Sequence, residues 1–295
     1  MSGLGLGLGL GLGAHRIVDR YGNMPATFTV TSGDGTKYIR VRVSETTTVT
    51  PAGGTSIRIG GSGEFVTTPL TLAENTNQDI YFKDAGSFTI PQRKLVFYLS
   101  LSSLGSSAIT GDITGMKLTY LLLSSLGSSI ITGNITGMKL TTLFLDRIRP
   151  SVINGEITGK SLPYLYLRDI GSSLTYGTSS MNITSANGIK LLGDTVFATA
   201  EEYEQLFIDA AESTWGHPTT RQLTITGSGK NFHRDYYDWG TFSATPGASS
   251  PTPSAIAIKS LVKRGTNPVV VTLEGISAYS YAGGFPENFE NWWAE

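Results

Sequence analysis

Residues 96–183 are one segment written four times. The units VFYLSLSSLGSSAITGDITGMK, LTYLLLSSLGSSIITGNITGMK, LTTLFLDRIRPSVINGEITGKS and LPYLYLRDIGSSLTYGTSSMNI begin at Val96, Leu118, Leu140 and Leu162, each 22 residues after the last. A fixed period in this range marks a solenoid. Each unit is a supersecondary element that cannot bury its apolar side alone and must stack on its neighbours. Every unit opens L-x-x-L-x-L or a close variant, as in Leu118, Leu121 and Leu123 or Leu140, Leu143 and Leu145. Alternation of this kind predicts a short strand with its leucines turned inward. The I-T-G-x-I-T-G stretch later in the unit predicts a second strand on the opposite side. From there Ile131, Ile135, Ile153 and Ile157 fill the core.

The L-x-x-L-x-L spacing resembles a leucine-rich repeat, which implies parallel strands joined by crossing segments. The match is partial. Where that family places an asparagine after L-x-L, this chain has Leu126, Ile148 and Ile170. The asparagine ladder is absent, so apolar packing is expected in its place, and with it a short, fairly straight, strand-rich stack.

A stack of four units exposes apolar ends unless they are capped. Upstream, residues 17–93 read as several short strands with Gly- and Asp-rich turns, a small β-sandwich module. In ATFTVTSGDGTKYIRVRVSETTTVTP the β-formers alternate on both sides of SGDGT, which predicts a hairpin there. Downstream, TAEEYEQLFIDAAES predicts a helix. Thr199 and Glu202 make a capping box, and Tyr203, Leu206, Phe207 and Ala210 share one face. The strand RQLTITG follows, then a second helical segment from Pro253 to Gly265, then the strand NPVVVTLEG. A helix before each strand predicts two parallel strands added to the sheet. The fold class is therefore mainly β. A leader over 1–16 and a β-sandwich module over 17–93 precede a leucine-rich-repeat-like solenoid over 94–190. An α/β cap with an aromatic tail follows over 191–295.

The net charge is −1. That excludes the clustered basic surface of a nucleic-acid binder and a polybasic membrane dock. With no cysteine in the chain, disulfides, zinc-thiolate sites and thiol nucleophiles are excluded as well. No apolar run approaches the roughly 20 residues of a spanning helix.

The leader, MSGLGLGLGLGLGAHR, has no basic residue before Leu4 and a glycine at every second position thereafter. Glycine costs about 1 kcal/mol per helical position relative to alanine, so a signal-peptide helix is not expected. At period two, Leu4, Leu6, Leu8, Leu10 and Leu12 fall on one face of an extended strand. The expectation is a tail that orders only on docking, its leucines entering an apolar slot of a larger assembly.

No catalytic constellation emerges. His15, His217 and His233 lie in unrelated segments without metal-ligand spacing, and no loop matches a phosphate cradle. Asp112, Asn134 and Glu156 hold one repeat position. Stacked directly, Asp112 and Glu156 would stand about 10 Å apart, beyond the roughly 6.5–9.5 Å of an inverting glycosidase. They read as turn residues, and neither enzyme chemistry, a cofactor nor a metal is expected. Binding is the better reading for NFHRDYYDWG, which gathers Phe232, His233, Tyr236, Tyr237 and Trp239. Aromatic side chains with polar tips stack on sugars and anchor interfaces. The bland alternative is that they pack over the solenoid end. Trp292 and Trp293, in FPENFENWWAE, either tuck onto the core or grip a neighbouring subunit.

The closing unit TAEE…LTITG…L-x-x-R-G…V-x-V, the short repeats and the Gly-Leu leader together resemble tail-fibre and other virion proteins of bacteriophages. The repeats also resemble leucine-rich-repeat surface adhesins of bacteria. The first resemblance implies a virion subunit, fibre or decoration, that contacts capsid or tail proteins through its leader. It also implies a symmetric oligomer, most often a trimer, that presents the repeat domain to a host-surface glycan or protein. An adhesin must be exported and the leader is no export signal, so the virion reading is the expectation.

Overall fold

The computed structural model describes residues 21–157, 162–171, 174–177, 188–194, 197–215 and 221–226, with short pieces at 237–238, 243–244, 257, 260–261 and 269–273. The chain is mainly β, and its repeats coil into a β-solenoid of about four turns. Two sheets face each other across one core.

The L-x-L segments form β8 (Val96–Ser102), β10 (Tyr120–Ser124), β12 (Thr142–Asp146) and β14 (Tyr164–Arg168), parallel neighbours in a ten-stranded sheet. The two predicted closing strands, β17 (Gln222–Ile225) and β20 (Val270–Leu273), extend it in parallel beyond β16 (Gly188–Leu192), a strand that the closing pattern did not include. On its other side β2 (Asp34–Val43), β6 (Gln78–Lys83) and β4 (Ser56–Ile59) continue it antiparallel. The I-T-G segments form β9 (Ala108–Asp112), β11 (Ile130–Asn134) and β13 (Val152–Glu156), followed by β15 (Leu174–Thr175). These join an eight-stranded sheet completed by β1 (Ala26–Ser32), β7 (Gly86–Ile90), β3 (Thr47–Ala52) and β5 (Leu70–Leu72).

Inward positions on both sheets are aliphatic and fully buried. Leu121, Leu123, Leu143, Leu145, Leu165 and Leu167 meet Ile131, Ile135, Ile153 and Ile157 between them. Leu126, Ile148 and Ile170, where leucine-rich repeats carry asparagine, are buried too. Apolar packing is only half of what replaces the asparagine ladder. Ser107, Ser129 and Ser151, also 22 residues apart, are buried and bridge coil to coil. The Ser129 hydroxyl donates to Ser107 O and accepts from Ile109 N; the Ser151 hydroxyl donates to Ser129 O and accepts from Ile131 N. Buried backbone groups at the corner are thereby satisfied, as they must be.

Two expectations fail. SGDGT is not a hairpin: β1 pairs with β7 and β9, whereas β2 pairs with β6 and β8. The chain crosses between sheets at Gly33, whose position against the Phe82 carbonyl oxygen (3.0 Å from an added Cβ) admits no side chain without a shift. The Asp34 carboxylate then accepts from Thr36 N and Thr36 Oγ1, at 2.8 and 2.7 Å. The Asp-Gly signal thus serves a local turn inside a strand.

The second correction concerns register. In the ten-stranded sheet equivalent residues pair directly, Tyr98 with Tyr120 and Tyr120 with Thr142. In the eight-stranded sheet β11 slips by two residues on β9 and β13 by two on β11, so Asp112 lies opposite Thr132 and Asn134 opposite Asn154, while β15 slips by three on β13 and sets Leu174 opposite Gly155. A slip of two keeps every side chain on its own face. It also sets Ile131 beside Gly111 and Ile153 beside Gly133, large against small on the core side. Gly133 is forced by this: a Cβ there would lie 2.3 Å from Ile113 Cγ1. Asp112 and Glu156 are thereby staggered along the strands, not stacked.

The predicted helix is α1 (Ala200–Glu212), with its Thr199–Glu202 capping box formed and Tyr203, Leu206, Phe207 and Ala210 buried. The Glu202 carboxylate also accepts from Tyr176 N, at the end of the fourth coil. The Tyr176 hydroxyl donates to Asp209. Burial and that carboxylate push the Tyr176 phenol far above its usual range. Helix and stack are one packed body at this end.

Candidate functional site: the outer face of the ten-stranded sheet

Strand register fixes three rows of outward side chains. The first runs Arg42, Tyr98, Tyr120, Thr142, Tyr164. The second runs Asp79, Arg40, Ser100, Leu122, Phe144, Tyr166, Lys190. The third has Arg58, Tyr81 and Tyr38 on the antiparallel strands and Ser124, Asp146 and Arg168 on the coils. Neighbouring strands lie about 4.8 Å apart, close to the separation of stacked rings, so aromatic residues at one repeat position stack by construction. Tyr98 and Tyr120 stack at 4.2 Å between centroids, 11° from parallel. Phe144 and Tyr166 do so at 4.3 Å and 7°.

Arginines complete the face. Arg42 lies 5.4 Å from the Tyr98 ring and donates to Asn77 Oδ1 at 2.7 Å. Arg40 lies 5.5 Å from the Tyr38 ring and forks onto Asp79 at 2.6 and 2.9 Å. Arg168 forks onto Asp146, which Arg147 also approaches at 3.3 Å. Asp146 is 4% exposed. Burial alone would raise its pKa, but the bonds from Arg168 and Arg147 outweigh burial and hold it below 3.8.

The stacked rings cover one another's faces, so the surface offers ring edges, phenol hydroxyls and guanidinium groups. Burial, and secondarily the neighbouring Tyr98, push the Tyr120 phenol up to about 12. Burial also raises Tyr164 and Tyr166. These hydroxyls therefore remain protonated donors throughout the physiological range. Held by stacks and ion pairs, the side chains lose little freedom on binding. To a ligand the face can offer hydrogen-bond donors and ring edges.

Asp112, considered above for general acid/base work, is a structural anchor. Its pKa is lowered: desolvation works the other way, but the Thr114 N–H and Arg93 prevail. Arg93 donates to it at 2.7 Å and to Thr114 O at 2.8 Å. Asn134 turns its chain likewise, accepting from Thr136 N at 2.8 Å. Among the described residues no group of three or more His, Cys, Asp or Glu is placed to hold a metal ion.

The leader residues Leu4, Leu6, Leu8, Leu10 and Leu12 lie outside the described residues, as do Phe232, His233, Tyr236, Trp239, Trp292 and Trp293. The Tyr237 backbone forms β18 (Tyr237–Asp238), paired antiparallel with β19 (Ser243–Ala244); its side chain is also outside the description. The sheet face was missed in sequence although its signal is present. The positions just before and between the leucines of L-x-L hold Tyr98, Tyr120, Phe144, Tyr164 and Tyr166, on the strand face opposite the leucines. No family model, curated protein or solved structure matches the chain.

Proposed function

We propose that this protein is a non-catalytic attachment subunit of a bacteriophage particle, and that the outer face of its ten-stranded sheet binds a host-surface glycan. The observation carrying the binding role is the pair of in-register stacks, Tyr98 on Tyr120 in the first row and Phe144 on Tyr166 in the second, bordered by fixed arginines as a rigid amphipathic surface. Tyrosine and arginine are the residues that dominate recognition surfaces, because each combines contact area with a hydrogen-bonding tip. Placement on a virion rests on the resemblance of the repeats, the closing helix–strand units and the leader to phage structural proteins.

In this reading the N-terminal strands are a sandwich-like base, α1 and the strands after it close the far end as an α/β cap, and residues 1–16 dock into capsid or tail. Immunogold electron microscopy on the source culture, with antibody to the folded region, tests the placement. Gold on phage particles is the expected result, and its position separates head from tail. Gold on intact cells instead would replace the virion reading with that of a bacterial surface adhesin. Deleting Met1 to Gly13 is expected to leave the fold intact and abolish incorporation into particles, and normal incorporation would refute the docking role.

A further inference from the structure

Eight arginines fall within the described residues. Seven of them are bonded: Arg40, Arg42, Arg93, Arg147, Arg149 and Arg168 to side-chain acceptors, and Arg221 to the Trp215 carbonyl. Arg58 is different. Its Nε is buried with no hydrogen-bond partner, and no ion pair reaches it among the described residues. Among the described residues no other buried side-chain nitrogen or oxygen lacks a partner, and a donor left so calls for an explanation.

The surroundings supply one. Arg58 lies on β4, the edge strand of the ten-stranded sheet. Its guanidinium is 4.8 Å from the centroid of Tyr81, its cross-strand partner, and 4.7 Å from that of Phe65. Phe65 is brought there by a folded-back loop: Val66 and Ile57 exchange backbone hydrogen bonds of 2.9 Å in both directions. The arginine also lines an open pocket of about 300 Å³ whose other walls are Ile59, Ser62, Gly63, Glu64, Leu70 and Thr71. Added Cβ atoms at Gly60, Gly61 and Gly63 would meet nothing within 4 Å, so this rim of the loop is open.

We infer that this pocket is a binding site for a carboxylated sugar, separate from the stacked rows on the coils. A guanidinium flanked by two rings is approachable mainly in its own plane, where its fork matches a planar carboxylate. Ile59 and Leu70 offer apolar contact for the C–H groups of a sugar ring. Ser62 and Thr71 offer hydroxyls, and a pocket of this size sits at the small end of ligand sites. Glu64, exposed on the wall, opposes an anion and sets the affinity low.

The test is titration calorimetry of the full chain with glucuronate, glucose, acetate and inorganic sulfate. Glucuronate is expected to bind at least tenfold more tightly than each of the other three. Arg58→Lys keeps a charge beside the rings but loses the fork, and is expected to weaken glucuronate at least tenfold with an unchanged melting curve. Glu64→Gln is expected to tighten it several-fold, and Thr132→Ala, outward on the opposite sheet, to leave it unaltered. Equal binding of glucose would remove the role of the carboxylate. Equal binding of acetate or sulfate would reduce the site to a bare anion site. Full affinity in Arg58→Lys, or loss in Thr132→Ala, would overturn the assignment to this pocket. None of these outcomes depends on whether the aromatic rows bind a glycan.

Discussion

On the eight-stranded sheet the outward positions are Thr27, Thr29, Thr31, Thr110, Thr132 and Asn154, with Ile130 and Val152 as its exposed aliphatics. On the ten-stranded sheet the same repeats turn out Tyr98, Tyr120, Phe144, Tyr164 and Tyr166. Inside, both sheets bury the same kind of aliphatic layer. The fold therefore does not need aromatic residues on an outer face, since threonine, a good strand former, holds one sheet together without them. The aromatic rows exceed what folding requires, and that excess is the argument for recognition on one side of the molecule.

The comparison can be broken most directly from within. Leu143→Ala on one sheet and Ile153→Ala on the other each remove a buried side chain from the shared core, and each is expected to cost about 2–5 kcal/mol in urea unfolding. A negligible cost for either would mean that the sheets do not share one core. A smaller effect is expected at the corner. Ser129→Ala strands the Ile109 N–H and should cost about 1–3 kcal/mol, whereas Thr132→Ala, outward on β11 just after it, should stay within about 0.5 kcal/mol.

Acid sharpens the contrast between the outer faces. Asp146 has its pKa held below the ordinary 3.8 by Arg168 and Arg147. Its contribution to stability is complete above that ordinary value and is lost as pH falls through the lower, folded one. Asp146→Asn should therefore be less stable than the parent at pH 7 and lose less stability on acidification below pH 4, as followed by thermal melts. An unchanged acid slope would remove the Asp146–Arg168 pair from the account. On the aromatic face the stability effect is small: Tyr166→Ala should cost only about 0.5–1.5 kcal/mol, the worth of one stacked pair.

Much of this architecture is legible in the sequence. The 22-residue step sets the coil, and the period-two leucines and isoleucines set both inner faces. Thr199 and Glu202 set the start of α1. What escaped has physical causes. I-T-G-x-I-T-G alternates inward and outward side chains, so a slip of two residues leaves its in/out pattern unchanged, and only the stacked coils show Ile131 opposite Gly111 and Ile153 opposite Gly133. SGDGT carries a turn wherever it stands, and the local signal does not say whether the next strand pairs beside the first or crosses the core. Ser107, Ser129 and Ser151 recur as regularly as the leucines, but serine near glycine reads as loop, and its burial becomes visible only once the coils are stacked. The aromatic rows were hidden because the leucines dominate L-x-L, while their neighbours gain meaning only when strands align.

The central claim is that the rows on the ten-stranded sheet are a binding surface. Its most direct test is a glycan array probed with the parent chain, with Tyr98→Ala/Tyr166→Ala, and with Thr29→Ala/Thr132→Ala from the opposite sheet, each first shown to be folded. The account predicts that the parent binds a defined set of glycans, that the tyrosine variant loses them by tenfold or more, and that the threonine variant binds as the parent does. Retained binding in the tyrosine variant, or loss confined to the threonine variant, would contradict it.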